Sequence, residues 1–365
     1  MKPCCLRILN AGMASGKTKP YEYTKQKEQT MKPTVLVSSY YDRGVTDIEL
    51  NRLNPLAQVV RADVGRRLTE TELLNQLAGV KAALISDEVF NERVFRSSPQ
   101  LRMIAVDGVG VDSIDLDQAT AHGVIVNNAP FVHEANGEFT VGLILAVIRK
   151  IIIADRGART GQWNERTQYT GRDLKGSTLG LLGFGRNSRA VAQRLAGFGV
   201  NLLAYSPPPY ADAAIARQLG VKLVGYDQLL AESDILSIHV TLTEQTRGMI
   251  DAAAIAKMKT GAYLINTSRG AVVDEPALIA ALSNGKLAGA GLDVFTEEPP
   301  SVSNPLFKMD NVVATAHVGS DSFGAFSAVF KGAVDDILLL LQEKLPTHII
   351  NTEVLNHSNF INWRH

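Results

Sequence analysis

The chain has 365 residues, 45% of them apolar and 20% charged, which is enough for two domains that each bury a core of their own. Lys and Arg together number 37, as do Asp and Glu, so the summed field gives no reason to expect a nucleic acid or an anionic membrane as main partner. The two cysteines, Cys4 and Cys5, are adjacent near the N-terminus; this excludes a disulfide framework or a cysteine-built metal centre in the body of the chain, fits a reducing cytoplasm, and leaves no metal expected.

Residues 1–31 carry many polar and Lys side chains, lack the apolar core of a signal peptide, and end on the first residue of Met31-Lys32-Pro33, which repeats the opening Met-Lys-Pro. They are expected to be a disordered extension. Within them GMASGKT (12–18) imitates a phosphate-binding loop, but three residues separate its glycines where that loop needs four, and no helix pattern follows. No later stretch approaches the roughly 18 to 20 apolar residues of a membrane helix; the best, 141–148, is closed by Arg149 and Lys150.

From Thr34 onward, short β-branched runs alternate with helical stretches: TVLVSSY (34–40), QVVRAD (58–63), AALISD (82–87), LRMIAV (101–106) and VIVNN (124–128). That rhythm predicts a parallel α/β sheet. A helical segment over 134–161 is too long for a simple crossover and is expected to bridge two domains. A second series follows: TLGLLGFG (178–185), VNLLAYS (200–206), ILSIHV (235–240), AYLINTS (262–268), AGLDVF (290–295) and VVATAHV (312–318). Six apolar strands with helices between them predict a doubly wound nucleotide-binding sheet. A last amphipathic helix, 322–343, is expected to return to the first domain. The fold class is therefore α/β with two doubly wound parallel-sheet domains. A flavodoxin-like substrate domain is formed by 32–132 plus 320–350, and a Rossmann domain by 133–319.

The glycine turn comes where a dinucleotide fold needs it. Gly183-Phe184-Gly185-Arg186-Asn187-Ser188 leaves an apolar strand and opens a helix: Gly183 permits the tight turn, and Gly185 lets backbone approach a pyrophosphate seated on the helix N-terminus, beside Arg186 and Asn187. The third position is Ser188, where such turns carry Gly or Ala, so helix and strand must pack around a hydroxymethyl group. At the end of the next strand Ser206 takes the place of the acidic residue that usually accepts the ribose hydroxyls, followed by Pro207-Pro208-Pro209 and no arginine for a 2′-phosphate. The cofactor reads as NAD or NADP, with NAD slightly preferred.

Reducing a keto acid with hydride requires a cation for the substrate carboxylate, a proton donor for the carbonyl oxygen, and a group that keeps that donor charged and oriented. The later strands of the second series end in all three types: Arg269 in NTSRGAVVDEPAL (266–278), Asp293, Glu297 and Glu298 in LDVFTEEPP (292–300), and His317 in ATAHVGS (314–320). Each falls at or just past the C-terminal end of a strand, where ligands bind in open α/β sheets.

Together with VDGVGVDSIDLDQA (106–119), SDILSIHVTLTEQTRGMI (233–250) and NPLF (304–307), these motifs make the chain resemble the D-isomer-specific 2-hydroxyacid dehydrogenases from Met31 to about Pro346. The resemblance implies that Arg269 binds the substrate carboxylate and carbonyl, His317 is the acid/base, Glu298 pairs with the imidazole, and Asp293 holds the nicotinamide carboxamide. It places Gly183, Gly185, Arg186, Asn187, Ser206, Thr267 and Asp293 against the cofactor, and the backbone of Val109 and Gly110 around the substrate carboxylate. It also implies a homodimer and a small anionic 2-hydroxy or 2-keto acid such as hydroxypyruvate, glyoxylate, glycerate or 3-phosphoglycerate. Glu297 is the weaker of the two adjacent acids, and His133 and His239 read as structural.

Three departures from the family pattern bear on geometry. Thr241 and Ala316 stand where the family commonly has proline, and Asn136-Gly137 replaces the usual Val-Ala, which predicts a looser helix start. The competing reading is a dinucleotide-sensing protein of corepressor type that keeps the fold and the same three side chains; fold alone does not separate the two.

Overall fold

The computed structural model describes residues 32–363 apart from 39–42, 63, 130 and 207–211. The expected N-terminal extension and the proline run at 207–209 lie outside the described residues.

The first sheet is built from β1 (Thr34–Val37), β2 (Gln58–Arg61), β3 (Val80–Ile85), β4 (Met103–Val106) and β5 (Ile125–Asn128), all parallel, in the order β2-β1-β3-β4-β5. This is the flavodoxin-like order. Its helices are α1 (Arg43–Leu50), α2 (Glu70–Gln76), α3 (Glu92–Ser97) and α4 (Leu116–Ala121). Local chemistry sets where they start: Thr69 and Glu72 form a reciprocal capping box on α2, and Asn91 and Asp115 accept first-turn N–H groups of α3 and α4.

Two helices follow, α5 (His133–Ile148) and α6 (Ile151–Arg159), where one continuous segment was expected. The break sits at Lys150, whose φ of 54° is left-handed. The chain at 168–172 crosses at this point: Arg172 N–H donates to the Ile148 carbonyl at 2.8 Å, Lys150 Nζ donates to the Gln168 carbonyl at 3.0 Å, and a Cβ on Gly171 would lie 2.4 Å from the Ile148 oxygen. The carbonyl that a continuing helix would have used is thus taken.

The second sheet contains β6 (Thr178–Leu182), β7 (Asn201–Tyr205), β8 (Val221–Leu223), β9 (Ile235–Ile238), β10 (Ala262–Asn266), β11 (Leu287–Leu292) and β12 (Val312–Ala314). They are parallel in the order β12-β11-β10-β9-β6-β7-β8, a Rossmann arrangement extended by one strand at the β12 edge. It has one strand more than the six expected, because the three-residue edge strand β8 is too short and too polar at Lys222 to show as a run. The connecting helices are α7 (Arg186–Leu195), α8 (Ala213–Gln218), α9 (Tyr226–Glu232), α10 (Ala252–Lys257) and α11 (Glu275–Ser283). A final helix, α12 (Phe323–Leu341), is capped by Ser322.

Each sheet is covered on both faces by apolar clusters, as parallel strands require. On one face of the first sheet, Phe330, Ala333, Val334, Ile337 and Leu340 of α12 pack with Val35, Val37, Leu84, Met103 and Ile125, so the last helix completes the core begun by the first strand. Beyond α12 the chain pins itself to β5. Ile350 N–H donates to the Val126 carbonyl at 2.8 Å, and Ile349 forms an antiparallel bridge to Asn127. The buried carboxyl of Asp336 accepts from Asn127 Nδ2 and from Thr347 N–H, both at 2.7 Å. Replacing it (Asp336→Ala) leaves the buried Asn127 amide without its acceptor, for which we expect a loss of about 2 kcal/mol. Urea unfolding should show a lower midpoint at unchanged slope. No helix among the described residues is long and apolar enough to cross a membrane.

Candidate active site

The side chains singled out by sequence meet where the C-terminal ends of β10, β11 and β12 face the loop after β4. β10 ends at Asn266, whose side-chain Oδ1 accepts from Ser268 N–H at 3.0 Å while its Nδ2 donates to the Arg269 carbonyl at 2.9 Å, folding the chain back on itself. Gly270 then lies so close to the next loop that a Cβ would be 1.9 Å from the Phe295 carbonyl carbon, which is why glycine must follow Arg269.

Arg269 reaches across to the first sheet. Its Nε donates to Asp112 Oδ2 at 2.7 Å and Nη1 to the Ser268 carbonyl at 2.8 Å. Nη2 lies directly over Gly110, 1.6 Å from where a Cβ would stand. Among the described residues the N–H groups of Val109 and Gly110 meet no backbone acceptor, while the Val109 carbonyl accepts from Asn128 Nδ2 at 2.8 Å.

His317 follows β12 with a φ of 55°, a left-handed conformation unusual for a side chain of this size, and its N–H donates to the Asp293 carbonyl at 2.8 Å. The ring meets Glu298: Nδ1 to Oε2 is 2.7 Å, and Glu298 Oε1 accepts from Phe295 N–H at 2.9 Å. The hydrogen bond and charge of Glu298 raise the imidazole pKa above its ordinary value against the opposing effects of burial and Arg269, with Asp293 adding to the rise. Burial pushes the Glu298 carboxyl up, but His317, the Phe295 N–H and Arg269 outweigh it and hold it below the usual range. Glu298 thus favours the protonated imidazole and leaves Nε2 as the nitrogen not engaged by the carboxylate.

Asp293, 1% exposed, has its carboxyl oxygens engaged by Thr315 Oγ1 at 2.6 Å, Val318 N–H at 3.0 Å and Gly319 N–H at 2.8 Å. Each carboxyl oxygen can accept two hydrogen bonds, so Oδ2, with one protein donor, has a lone pair to spare for an amide. Thr267 is buried, its hydroxyl 3.0 Å from that of Thr140 on α5.

At the glycine turn, Gly183 has a φ of 97° and its missing Cβ makes room for the backbone of His239 and Val240. Gly185 is the N-cap of α7 in extended conformation, with no side chain capping the helix and nothing within 4 Å of an added Cβ. The first-turn amides by Arg186 and Asn187 therefore open onto free space with the positive helix end behind them, as a pyrophosphate requires. Ser188 is fully buried and turns its hydroxyl back onto the Gly185 carbonyl at 3.0 Å, which removes the packing difficulty expected of it. Ser206 is half-buried at the end of β7, a strand end with no acidic residue. These residues fit a nicotinamide dinucleotide.

Some expectations are corrected or placed elsewhere. The start of α5 is not loose: Asn136 and Gly137 are both buried, and a Cβ on Gly137 would sit 2.8 Å from Ala190 Cβ, so glycine here lets α5 and α7 close on each other. His239 is half-buried, bonded through Nε2 to Ser237 Oγ at 2.8 Å, and desolvation pushes its pKa down to about 3, leaving it neutral. His133 lies at the start of α5, 3.4 Å from Glu134. Sequence reasoning overlooked Asp112, Thr140 and Thr315; Asp112 stands inside the recognised loop 106–119, but nothing local marks it as the partner of Arg269.

Comparison with known proteins agrees with this geometry. Residues 141–319 match the family model for the NAD binding domain of D-isomer specific 2-hydroxyacid dehydrogenases. A glyoxylate reductase of Thermococcus litoralis is 40% identical over 295 residues, covering 78% of this chain and 88% of that protein. A D-3-phosphoglycerate dehydrogenase of Archaeoglobus fulgidus is 37% identical over 315 residues, 86% of this chain; the match spans only 58% of that longer protein. The crystal structure of a glyoxylate reductase from Paecilomyes thermophila superposes with a TM-score of 0.79 at 26% identity, covering 88% of this chain and 98% of that one. These relatives are reductases and dehydrogenases, and they lend no support to the dinucleotide-sensing alternative. With several of its motifs, both of its sheets and 40% identity to a relative matched over most of its length, the chain belongs to the D-isomer-specific 2-hydroxyacid dehydrogenase family of nicotinamide-dependent oxidoreductases.

Proposed function

We propose that this chain reduces a small 2-keto acid, or oxidises the corresponding D-2-hydroxy acid, with His317 as acid/base, Glu298 as its charged partner and Arg269 as the substrate cation. The observation that carries the reading is the 2.7 Å His317–Glu298 contact with Arg269 close enough for its charge to act on both groups. When bound, the dinucleotide supplies or accepts the hydride at C2. The protein's own part is to fix the substrate carboxylate between Arg269 Nη2 and the N–H groups of Val109 and Gly110, with His317 Nε2 delivering a proton to the carbonyl oxygen during reduction.

For the cofactor we place the pyrophosphate on Gly183, Gly185, Arg186 and Asn187, the adenosine ribose near Ser206, and the nicotinamide against Thr267 and Asp293. NAD is favoured because no arginine follows Ser206 before Arg217, and Arg189, in the first turn of α7, donates to the Phe184 carbonyl and stacks on the Phe184 ring. The functional division is 32–132 plus 320–350 for substrate and 133–319 for cofactor. A homodimer is supported by exposed Ile151, Ile152 and Trp163 on one segment of the cofactor half, and neutral overall charge supports a small-molecule partner over nucleic acid.

The test is near-ultraviolet nicotinamide absorbance with NADH and NADPH in parallel across glyoxylate, hydroxypyruvate and pyruvate. Oxidation of one coenzyme by at least one acid is expected; binding of coenzyme with no turnover anywhere would overturn the reading. The pH dependence follows from the raised His317 pKa. Reduction consumes the protonated imidazole, so kcat/KM for the keto acid should be level at low pH and fall as pH rises through a pKa above 6.5. Glu298→Gln removes the group that raises it, so that the falling limb moves to lower pH and activity at neutral pH drops by about tenfold or more.

A further inference from the structure

Asn136, in the first turn of α5, is 6% exposed, and its side-chain amide is only half used. Oδ1 lies 3.5 Å from the Thr140 hydroxyl, whereas Nδ2 meets no hydrogen-bond acceptor among the described residues. Nδ2 lies on the side of Gly319 that also carries the Asp293 carboxylate. A Cβ built on Gly319 would stand 2.8 Å from Asp293 Oδ2, 3.1 Å from Asn136 Nδ2 and 3.4 Å from the Phe139 ring. Turning the amide over would set Oδ1 beside a carboxylate oxygen, so the donor is the end that faces Asp293.

A buried amide donor without an acceptor is costly unless a ligand or water completes it. Asp293 Oδ2, beside it, has the opposite need: it accepts from Gly319 N–H at 2.8 Å and has a lone pair left. One open donor and one open acceptor within 3.1 Å of a single point match a primary carboxamide, which carries an acceptor oxygen and an NH2 group on one carbon. Both partners are held in place. Asn136 N–H donates to the Val132 carbonyl at 2.9 Å, Gly137 lets α5 close on α7, and Thr315 and Val318 fix the other oxygen of Asp293.

We infer that Asn136 is a cofactor-binding residue: its Nδ2 donates to the carbonyl oxygen of the nicotinamide carboxamide while Asp293 Oδ2 accepts from the carboxamide NH2. The inference rests on the cofactor placement proposed above and adds a contact that the valine usual at this position could not make. Bonds to both ends of the amide hold the ring against rotation about its glycosidic bond, which decides the face presented to the substrate.

The test is calorimetric binding of NADH, its thionicotinamide analogue and ADP-ribose to the full chain and its Asn136→Ala and Asn136→Leu variants. Thr140 Oγ1 keeps the residue 136 carbonyl at 2.7 Å and the Thr267 hydroxyl at 3.0 Å, so neither substitution strands a buried group, and leucine also preserves the volume. Both variants are expected to bind NADH about fivefold more weakly, and to bind ADP-ribose, which has no nicotinamide, as the parent does. The parent should favour NADH over the analogue, whose sulfur accepts hydrogen bonds weakly, and the variants should lose most of that preference. Equal weakening toward NADH and ADP-ribose, unchanged NADH affinity, or a preference over the analogue kept in full by both variants overturns the inference and leaves the cofactor reading standing. A parent that binds neither NADH nor NADPH overturns both.

Discussion

Replacing the proposed acid/base (His317→Ala) is expected to lower kcat by about two to four orders of magnitude while leaving dinucleotide affinity nearly unchanged. The imidazole has one nitrogen tied to Glu298 at 2.7 Å and a side chain 45% exposed, which the proposed proton-transfer role requires and a core-filling role does not. None of the residues placed against the pyrophosphate touches it, which is why coenzyme binding is the control. Single-turnover absorbance separates the outcomes: a slow hydride step with normal coenzyme affinity agrees with the assignment. Loss of binding together with turnover would show that His317 holds the loop in shape and has no role in the chemistry. The Glu298→Gln variant should fall between this protein and the parent, because it keeps the donor but lowers its proton affinity.

The second large effect is expected at Arg269. Truncation (Arg269→Ala) removes the substrate cation and also frees Asp112, leaving an unopposed carboxylate facing the incoming acid. We expect kcat/KM to fall by about a hundred- to a thousandfold, with both constants affected, since the proposed role has the guanidinium touch carboxylate and carbonyl alike. Arg269→Lys is not a conservative replacement here. An ammonium group cannot bond Asp112, the Ser268 carbonyl and a substrate from one plane, so it should recover only a small part of the loss. Equal kcat/KM in the lysine variant and the parent would show that charge alone matters and that the plane of the guanidinium does not.

The parts of the molecule that sequence made visible are those whose physics is local. Runs such as TLGLL and AYLIN are apolar because both faces of a parallel strand are buried, and the turn at Gly183 announces itself through glycine's freedom at a φ of 97°. Arg269, Glu298 and His317 could be named because each follows a readable strand. The parts that stayed hidden depend on a partner far along the chain. Lys150 is no helix breaker by type; it turns left-handed because residues 168–172 arrive to take the Ile148 carbonyl. Asp112 and Arg269 are 157 positions apart, and the ion pair exists only once both sheets have formed. Asn136-Gly137 looked like a weakness because glycine disfavours helix, yet the missing side chain is what brings α5 against α7 at Ala190.

The return of α12 to the first sheet has a consequence for how the protein is made. During synthesis the strands β1 to β5 leave the ribosome early, but the face carrying Val35, Val37, Leu84, Met103 and Ile125 finds its cover only when Phe330, Val334 and Ile337 emerge some two hundred residues later. The cofactor half, whose strands and helices are continuous in the chain, has no such wait. The nascent first half therefore spends most of translation with a sticky apolar surface, and it is there that chaperones would be expected to bind.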